Sequence, residues 1–374
     1  MDLLARLYAR YLRDRKKSAI LTHMFNPQYK LTHSILNRLT AIAEARALIQ
    51  RAKLLPKNEI RLRRQALIRM THSSTAIEGN ILNIYQVEAL LSKKKIDAPT
   101  RDIYEVENYL NALRYIEQIV SKKEQISEKV ILKIHKLVTN KTLSTEQSGH
   151  YRKGPVYVVR RRLGMPQEVL YTGPDAKIVP TLMKDLVRWI GESAIKEINP
   201  VIVAGIAHQE IAAIHAFNDG NGRTARALAT LILYSRGYDF RRLFALEDYY
   251  NTDRPAYYGA INIGKRYNER NVDFTPWIEY FIKGFKYEID AVKIAIAQLS
   301  LRKIDEKITS QIYLEKEQMS ILEFLDQMGR ITVNDVVDTL QCPKRTAQLQ
   351  LQRLKKLKLI KQVGRGPASA YVQG

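Results

Sequence analysis

Apolar residues recur at i, i+3, i+4 and i+7 over Ser34–Lys53, Asn58–Met70, Arg101–Val120, Ser127–Val138 and Trp277–Leu299. That spacing stacks them on one face of a helix. Two more apolar helical runs, Val201–Ile214 and Thr224–Tyr234, flank a short polar segment. Strand-like patterning is confined to two places. Val156–Arg161 and Glu168–Thr172, separated by a Leu-Gly-Met-Pro turn, read as a hairpin, and Leu359–Val363 with Ala368–Val372 reads as a terminal ribbon. The fold class expected is therefore mainly α. Beyond the polar stretch Lys303–Tyr313 come helices over Ser320–Met328, Val333–Leu340 (capped by Thr332) and Lys344–Leu357, then the ribbon. Three helices followed by a two-stranded wing is the order of a winged helix-turn-helix domain. The expected division is 1–105, an N-terminal helical region; 106–300, a central core; and 312–374, the winged domain.

Composition narrows the setting. With 374 residues, 45% of them hydrophobic, the chain can bury two or three cores. Uninterrupted apolar runs are no longer than stretches such as Val201–Ala204, too short to span a bilayer. The first residues put Arg and Asp where an export signal needs an apolar centre. A single cysteine, Cys342, excludes an internal disulfide and fits a cytoplasmic location. The net charge of +23 suggests polyanionic partners: nucleotide phosphates, nucleic acid or an acidic protein.

Most informative is the segment between the two apolar helices, His215-Ala-Phe-Asn-Asp-Gly-Asn-Gly-Arg-Thr-Ala-Arg226. Asp-Gly-Asn-Gly tolerates positive φ in a tight turn. The N–H groups of Asn221 and Gly222 then fall at the first turn of the second helix, an anion site. Arg223 and Arg226 lie three apart on one face and offer two bidentate phosphate donors. Asp219 stands where a hard cation such as Mg²⁺ is shared between a carboxylate and phosphate oxygens. His215, four residues earlier, can take a proton from an attacking hydroxyl near neutral pH. Phe217 is expected to anchor the loop in the core. The assembly suits phosphoryl or nucleotidyl transfer.

The string matches the Fic family motif, His-x-Phe-x-Asp/Glu-Gly-Asn-Gly-Arg-x-x-Arg, at every fixed position. Eight fixed residues make a chance match roughly one in 10⁷ or rarer. The chain thus resembles a Fic protein over about residues 60 to 285. The resemblance implies a Fic-type helical bundle with a hairpin flap and an adenylyltransferase activity. In it His215 is the general base and Asp219 the Mg²⁺ ligand. Gly220, Asn221 and Gly222 bind phosphate, and Arg223 and Arg226 grip the β/γ end of ATP. Relatives that phosphorylate carry Lys at the position of Gly222, so AMP transfer is favoured. Other donors, such as UTP, GTP or CDP-choline, and removal of AMP from a target are the alternatives within the family.

Gly149–Met183 resembles the flap, whose exposed edge can dock a target segment as an added strand. Arg160, Arg161 and Arg162 could select acidic targets there, and Arg152 reads as structural. Leu246–Ile261 resembles the segment that packs on the nucleoside, with Tyr257 and Tyr258 the candidates for the adenosine pocket. His208 and His135 read as core histidines.

Thr75-x-x-Glu78 has capping-box spacing and could start a helix. The same stretch resembles the family's inhibitory motif at Ser74, Glu78 and Gly79, which implies a Glu78–Arg226 ion pair that blocks productive ATP binding. From Gln341 to Gly374 there is no acidic residue, while Lys344, Arg345, Arg353, Lys355, Lys356, Lys358, Lys361 and Arg365 are basic. Lys344, Arg345, Thr346 and Gln348 would face bases if this module binds DNA. Leu349, Leu351, Leu354, Leu357 and Ile360 are expected to form its core. Family precedent also suggests a homodimer.

Overall fold

The structure is a computed structural model that describes residues 25–160, 168–270, 272–305, 314–364 and 369–374. The flap tip with Arg161 and Arg162, the N-terminal residues read for an export signal, and Arg365 lie outside the described residues. The chain forms two compact units, each discontinuous in sequence.

The first unit joins the segment ending at Leu39 to Asn111–Tyr238 and Asp253–Lys283. Its helices include α5 (Glu128–Val138), α6 (Val179–Ile195), α7 (Pro200–Ile214), α8 (Asn221–Ser235) and α10 (Arg254–Ile261). Pro200 at the first turn of α7 has no amide to leave unsatisfied, and Asn199 caps it by accepting from the Val201 N–H. Nearly the whole of α7 and α8 is buried, so their all-round apolar sequence reflects central helices rather than an amphipathic face. Gly205 lets the Phe281 ring approach closely: a Cβ there would lie 3.2 Å from it. One residue class further along, Trp277 Nε1 donates to the Gly205 carbonyl at 2.6 Å. The flap strands β1 (Tyr157–Arg160) and β2 (Glu168–Thr172) pair antiparallel, with a register shift between Val158 and Val159. At its foot Thr172 also donates to the Lys265 carbonyl at 2.9 Å.

The second unit comprises Thr40–Leu110, Asp239–Thr252 and Gly284–Gly374. Helix α2 (Pro56–Ile77) is its spine. It extends seven residues past the predicted end at Met70, because Thr71 to Ile77 are almost all buried and continue the packed face. Arg69 of α2 pairs with Asp248 of α9 (Leu246–Thr252) and with Glu288, each at 2.6 Å. Glu59, 3% exposed, is balanced by Arg63 and Arg241. Phe240, Phe244 and Phe285 meet edge to face. The capping-box expectation at Thr75 is corrected. Thr75 lies inside the last turn of α2, its hydroxyl bonded to the Thr71 and His72 carbonyls, and Glu78 is the C-cap. Gly79, at φ 96°, takes the left-handed turn that ends the helix.

The same unit holds the C-terminal module: α12 (Lys316–Met328), α13 (Val333–Leu340), α14 (Lys344–Lys356) and the antiparallel ribbon β3 (Ile360–Val363) and β4 (Ala370–Gln373). Thr332 and Asp335 form a reciprocal capping box at the start of α13, as their spacing implies. Ile321, Leu325, Val336, Ala347, Leu351, Leu354, Ile360 and Tyr371 make one core. Leu349 departs from expectation: it is 50% exposed, because Ala347, Gln350, Leu351 and Leu354 occupy the inward face of α14. Leu351→Ala should therefore cost about 2–5 kcal/mol of module stability, whereas Leu349→Ala should cost less than about 0.5. Thermal melts of the two variants check this.

Candidate active site

Helix α7 ends in a left-handed residue, His215, at φ 48° and ψ 55°. A non-glycine residue pays about 1–2 kcal/mol for that conformation, so its surroundings must hold it there. The turn that follows closes on itself. Asn221 accepts from the Phe217 N–H at 2.9 Å and donates to the Phe217 carbonyl at 2.8 Å. Phe217 is buried, its ring stacked on His135 with centroids 3.7 Å apart. Gly220 is required twice over: its φ is 77°, and a Cβ would sit 2.7 Å from Thr139 Cγ2. Gly222, by contrast, lies within α8 at ordinary helical geometry, so its lack of a side chain serves access rather than the turn.

The protonation of the three histidines follows from their partners. His135 Nδ1 accepts from the Gly149 N–H at 2.9 Å, so its proton is on Nε2, which donates to the Asp219 carbonyl at 3.0 Å. Burial outweighs that bond and pushes its pKa down to about 4. His135 is thus a neutral structural tie under the loop. His208, fully buried, is hydrogen-bonded through Nε2 to the Tyr257 hydroxyl, 3.0 Å away, and Tyr257 accepts from Arg226 Nη1 at 3.5 Å. Burial, with the Arg226 charge second, holds His208 well below the ordinary histidine range. His215 is half-buried, and its Nδ1 lies 3.1 Å from the Ala212 carbonyl. A carbonyl only accepts, so Nδ1 carries a proton, and whenever the ring is neutral Nε2 is its lone-pair nitrogen.

Asp219 is partly exposed, and its Oδ1 accepts from the Gly220 N–H at 2.5 Å and faces Arg223 Nη2 at 3.4 Å. Arg223 and Arg226 are each 2% exposed. Gly220 caps α8 without a side-chain acceptor, which leaves the first-turn amides of Asn221 and Gly222 to an incoming anion. Among the described residues no group of three or more His, Cys, Asp or Glu side chains gathers. A lone carboxylate beside a helix start is nonetheless the donor set that Mg²⁺ shares with phosphate oxygens, so Asp219 fits that ion.

The structure brings His215, Asp219, Gly220, Asn221, Gly222, Arg223 and Arg226 onto one helix–loop–helix. Two expectations are modified. The Asn221 side chain is spent on Phe217, leaving only its backbone N–H for phosphate. Tyr257 is 2% exposed and sealed against His208 and Arg226 rather than presenting its ring to a nucleoside, while Tyr258 is 49% exposed. Sequence reading also understated Arg152, which is 3% exposed and bonded to three backbone carbonyls. That agrees with its reading as a structural residue, though not with any role beside His215.

A two-helix pair joined by an anion-binding turn, with a histidine base at its entry, defines the class. Residues 125–233 match the family model described as Fic/DOC family. The chain is 28% identical over 230 residues to the protein adenylyltransferase Fic of Drosophila erecta, covering 61% of this chain and 42% of that protein. It is 29% identical over 228 residues to protein adenylyltransferase fic-1 of Caenorhabditis elegans, covering 60% and 40%. The matched part thus spans less than half the length of these curated relatives. In fold it is similar to a Fic family protein from Desulfovibrio desulfuricans, with a TM-score of 0.59 at 24% identity, covering 94% of this chain and 98% of that one. Fic-1 of C. elegans, residues 134–508, gives 0.57 at 24% identity over 78% of each chain.

His135 generates a pH prediction. Between its folded value of about 4 and its ordinary 6.5 the unfolded chain binds a proton that the folded one does not. Stability should therefore fall as pH drops through that window, by up to about 3 kcal/mol from this residue. His135→Gln should start less stable and show a shallower loss, as read by denaturant midpoints from pH 7 to 4.

Proposed function

We propose that the chain is a protein adenylyltransferase, moving AMP from ATP to Ser, Thr or Tyr hydroxyls of a protein target or of itself in the cytoplasm. The observation that carries this reading is the contact of His215 Nδ1 with the Ala212 carbonyl, which ties a proton to that nitrogen and leaves Nε2 as the base of the neutral ring. The target hydroxyl gives its proton to Nε2 as its oxygen bonds to the α-phosphorus. The bond from that phosphorus to the bridging oxygen breaks, and pyrophosphate leaves. The amides of Asn221 and Gly222, with Arg223 and Arg226, hold the phosphates; donors already in place cost no reorganisation as charge shifts. Mg²⁺ held by Asp219 would neutralise phosphate charge. Tyr258, the more exposed of the tyrosine pair, is the better candidate for the nucleoside, and the flap edge is the docking place for a target segment.

Glu78 supplies the restraint in this reading. It sits exposed at the C-cap of α2, one residue before Gly79 turns the chain, with Ser74 buried one turn earlier. Pairing with Arg226 would take that guanidinium from the γ-phosphate. The C-terminal helices and ribbon are assigned as a winged helix-turn-helix, in a three-part chain of N-terminal region, Fic core and winged domain. Lys344, Arg345, Thr346 and Gln348 are all exposed at the start of α14, which favours DNA as the second partner and a regulator as the second reading.

With [α-³²P]ATP, Glu78→Gly should label itself or lysate proteins much more strongly than wild type. Equal labelling of the two would defeat the restraint. Adding His215→Ala should cut labelling by about a hundred- to ten-thousand-fold, and retained labelling would defeat the role of the base. Replacing Lys344 and Arg345 by Ala should weaken DNA retardation and flatten its salt dependence by about one to two phosphate contacts, leaving labelling intact.

A further inference from the structure

We infer that Arg152 is a positioning residue for the His215 base, clamping the left-handed end of α7 to both feet of the flap. The inference rests on the adenylyltransferase reading only for its catalytic consequence, since the geometry belongs to the first unit alone.

Three backbone carbonyls from three segments converge on one guanidinium. Arg152 Nε donates to the His215 carbonyl at 2.8 Å, Nη1 to Gly154 at 2.7 Å and Nη2 to Pro174 at 2.6 Å. Its own N–H donates to the Ala216 carbonyl at 3.0 Å. Gly154 precedes β1 and Pro174 follows β2, so the clamp spans the hairpin's entry and exit. The fit is close: a Cβ on Gly173 would meet Val156 Cγ1 at 2.7 Å and Arg152 Nη2 at 3.1 Å. From the flap itself Tyr171 donates to the Ala213 carbonyl at 2.6 Å, adding a second tie on the last turn of α7.

The physical consequence concerns the imidazole. A left-handed backbone at His215 sets the direction of its Cα–Cβ bond and brings Nδ1 to the Ala212 carbonyl. That contact selects the Nδ1–H form, which is the less favoured tautomer of a free imidazole. Remove the guanidinium and two things are lost together: the acceptor at His215 loses a buried charged donor, and the left-handed conformation loses the tie made at that residue's own carbonyl. The residue then relaxes toward ordinary φ, Nδ1 leaves Ala212, and the Nε2 lone pair is no longer fixed. Lysine cannot replace the clamp, because a single ammonium lacks the planar fork that reaches three carbonyls.

The test is ¹⁵N NMR of histidine-labelled full-length protein, with His215 assigned by the loss of its signals in His215→Ala. Wild type should show His215 in the Nδ1–H form. Arg152→Ala should move it to a mixture or to Nε2–H, and millimolar guanidinium chloride should restore it. Unchanged His215 signals in a folded Arg152→Ala protein would overturn the inference. If that variant does not fold, Arg152→Lys decides in the same way: shifted signals support the clamp, and wild-type signals overturn it. In the Glu78→Gly background, Arg152→Ala should lower kcat about ten- to a hundred-fold with ATP affinity unchanged. Lost ATP affinity at unchanged kcat would instead overturn the positioning role. Absence of AMP transfer in Glu78→Gly itself would sink the adenylyltransferase reading, while the NMR result still decides what Arg152 does.

Discussion

The side chain of Asn221 closes on both backbone groups of Phe217, and the site depends on that ring. It fixes how α7 hands over to α8 and so sets three things at once: the direction of His215, the exposure of the first α8 amides, and the place of Asp219. The loop cannot drift, because Phe217 is stacked on His135 beneath it and His135 is tied to the Asp219 carbonyl above. A short polar loop in a nearly all-apolar helix pair is thereby held as firmly as a core element. That rigidity is what a preorganised phosphate site requires, since donors that must first be ordered give back much of their interaction energy.

Much of this was legible in the residues. The helix pair and its polar junction follow from two apolar runs broken by Asp-Gly-Asn-Gly, and the cap at Thr332 follows from Ser/Thr/Asp spacing alone. The reading failed where one spacing serves two structures. Thr75 and Glu78 are three apart, as a capping box demands, yet the burial of Thr71 to Ile77 carries α2 through them and makes Glu78 its end instead of its start. Leu349 failed for a related reason. In a helix so rich in leucine and glutamine, which leucine faces inward depends on the neighbouring elements, and Gln350 took the inward position by bonding Gln318. Tyr257 and Tyr258 are adjacent and chemically identical, so only the fold could assign one to the core and one to the surface.

Arg152 marks a further limit of local reading. Its three acceptors lie 2, 22 and 63 residues away along the chain. No window of sequence contains them, and backbone carbonyls leave no trace in side-chain identity. A motif names groups that touch the reacting atoms, whereas the residues holding those groups bond to main chain and are visible only in three dimensions.

Three histidines in this unit show how environment divides a single chemistry. His135 and His208 are fully buried, each with a ring nitrogen already hydrogen-bonded, and burial keeps both neutral below physiological pH. A proton gained by either ring would place a charge inside the core, which disfavours both as bases. His215 also meets a carbonyl, as His135 does, but differs in one respect that matters: its ring is only half-buried. An imidazolium formed there on accepting a proton can be solvated. Exposure, rather than the group each ring meets, separates His215 from the other two.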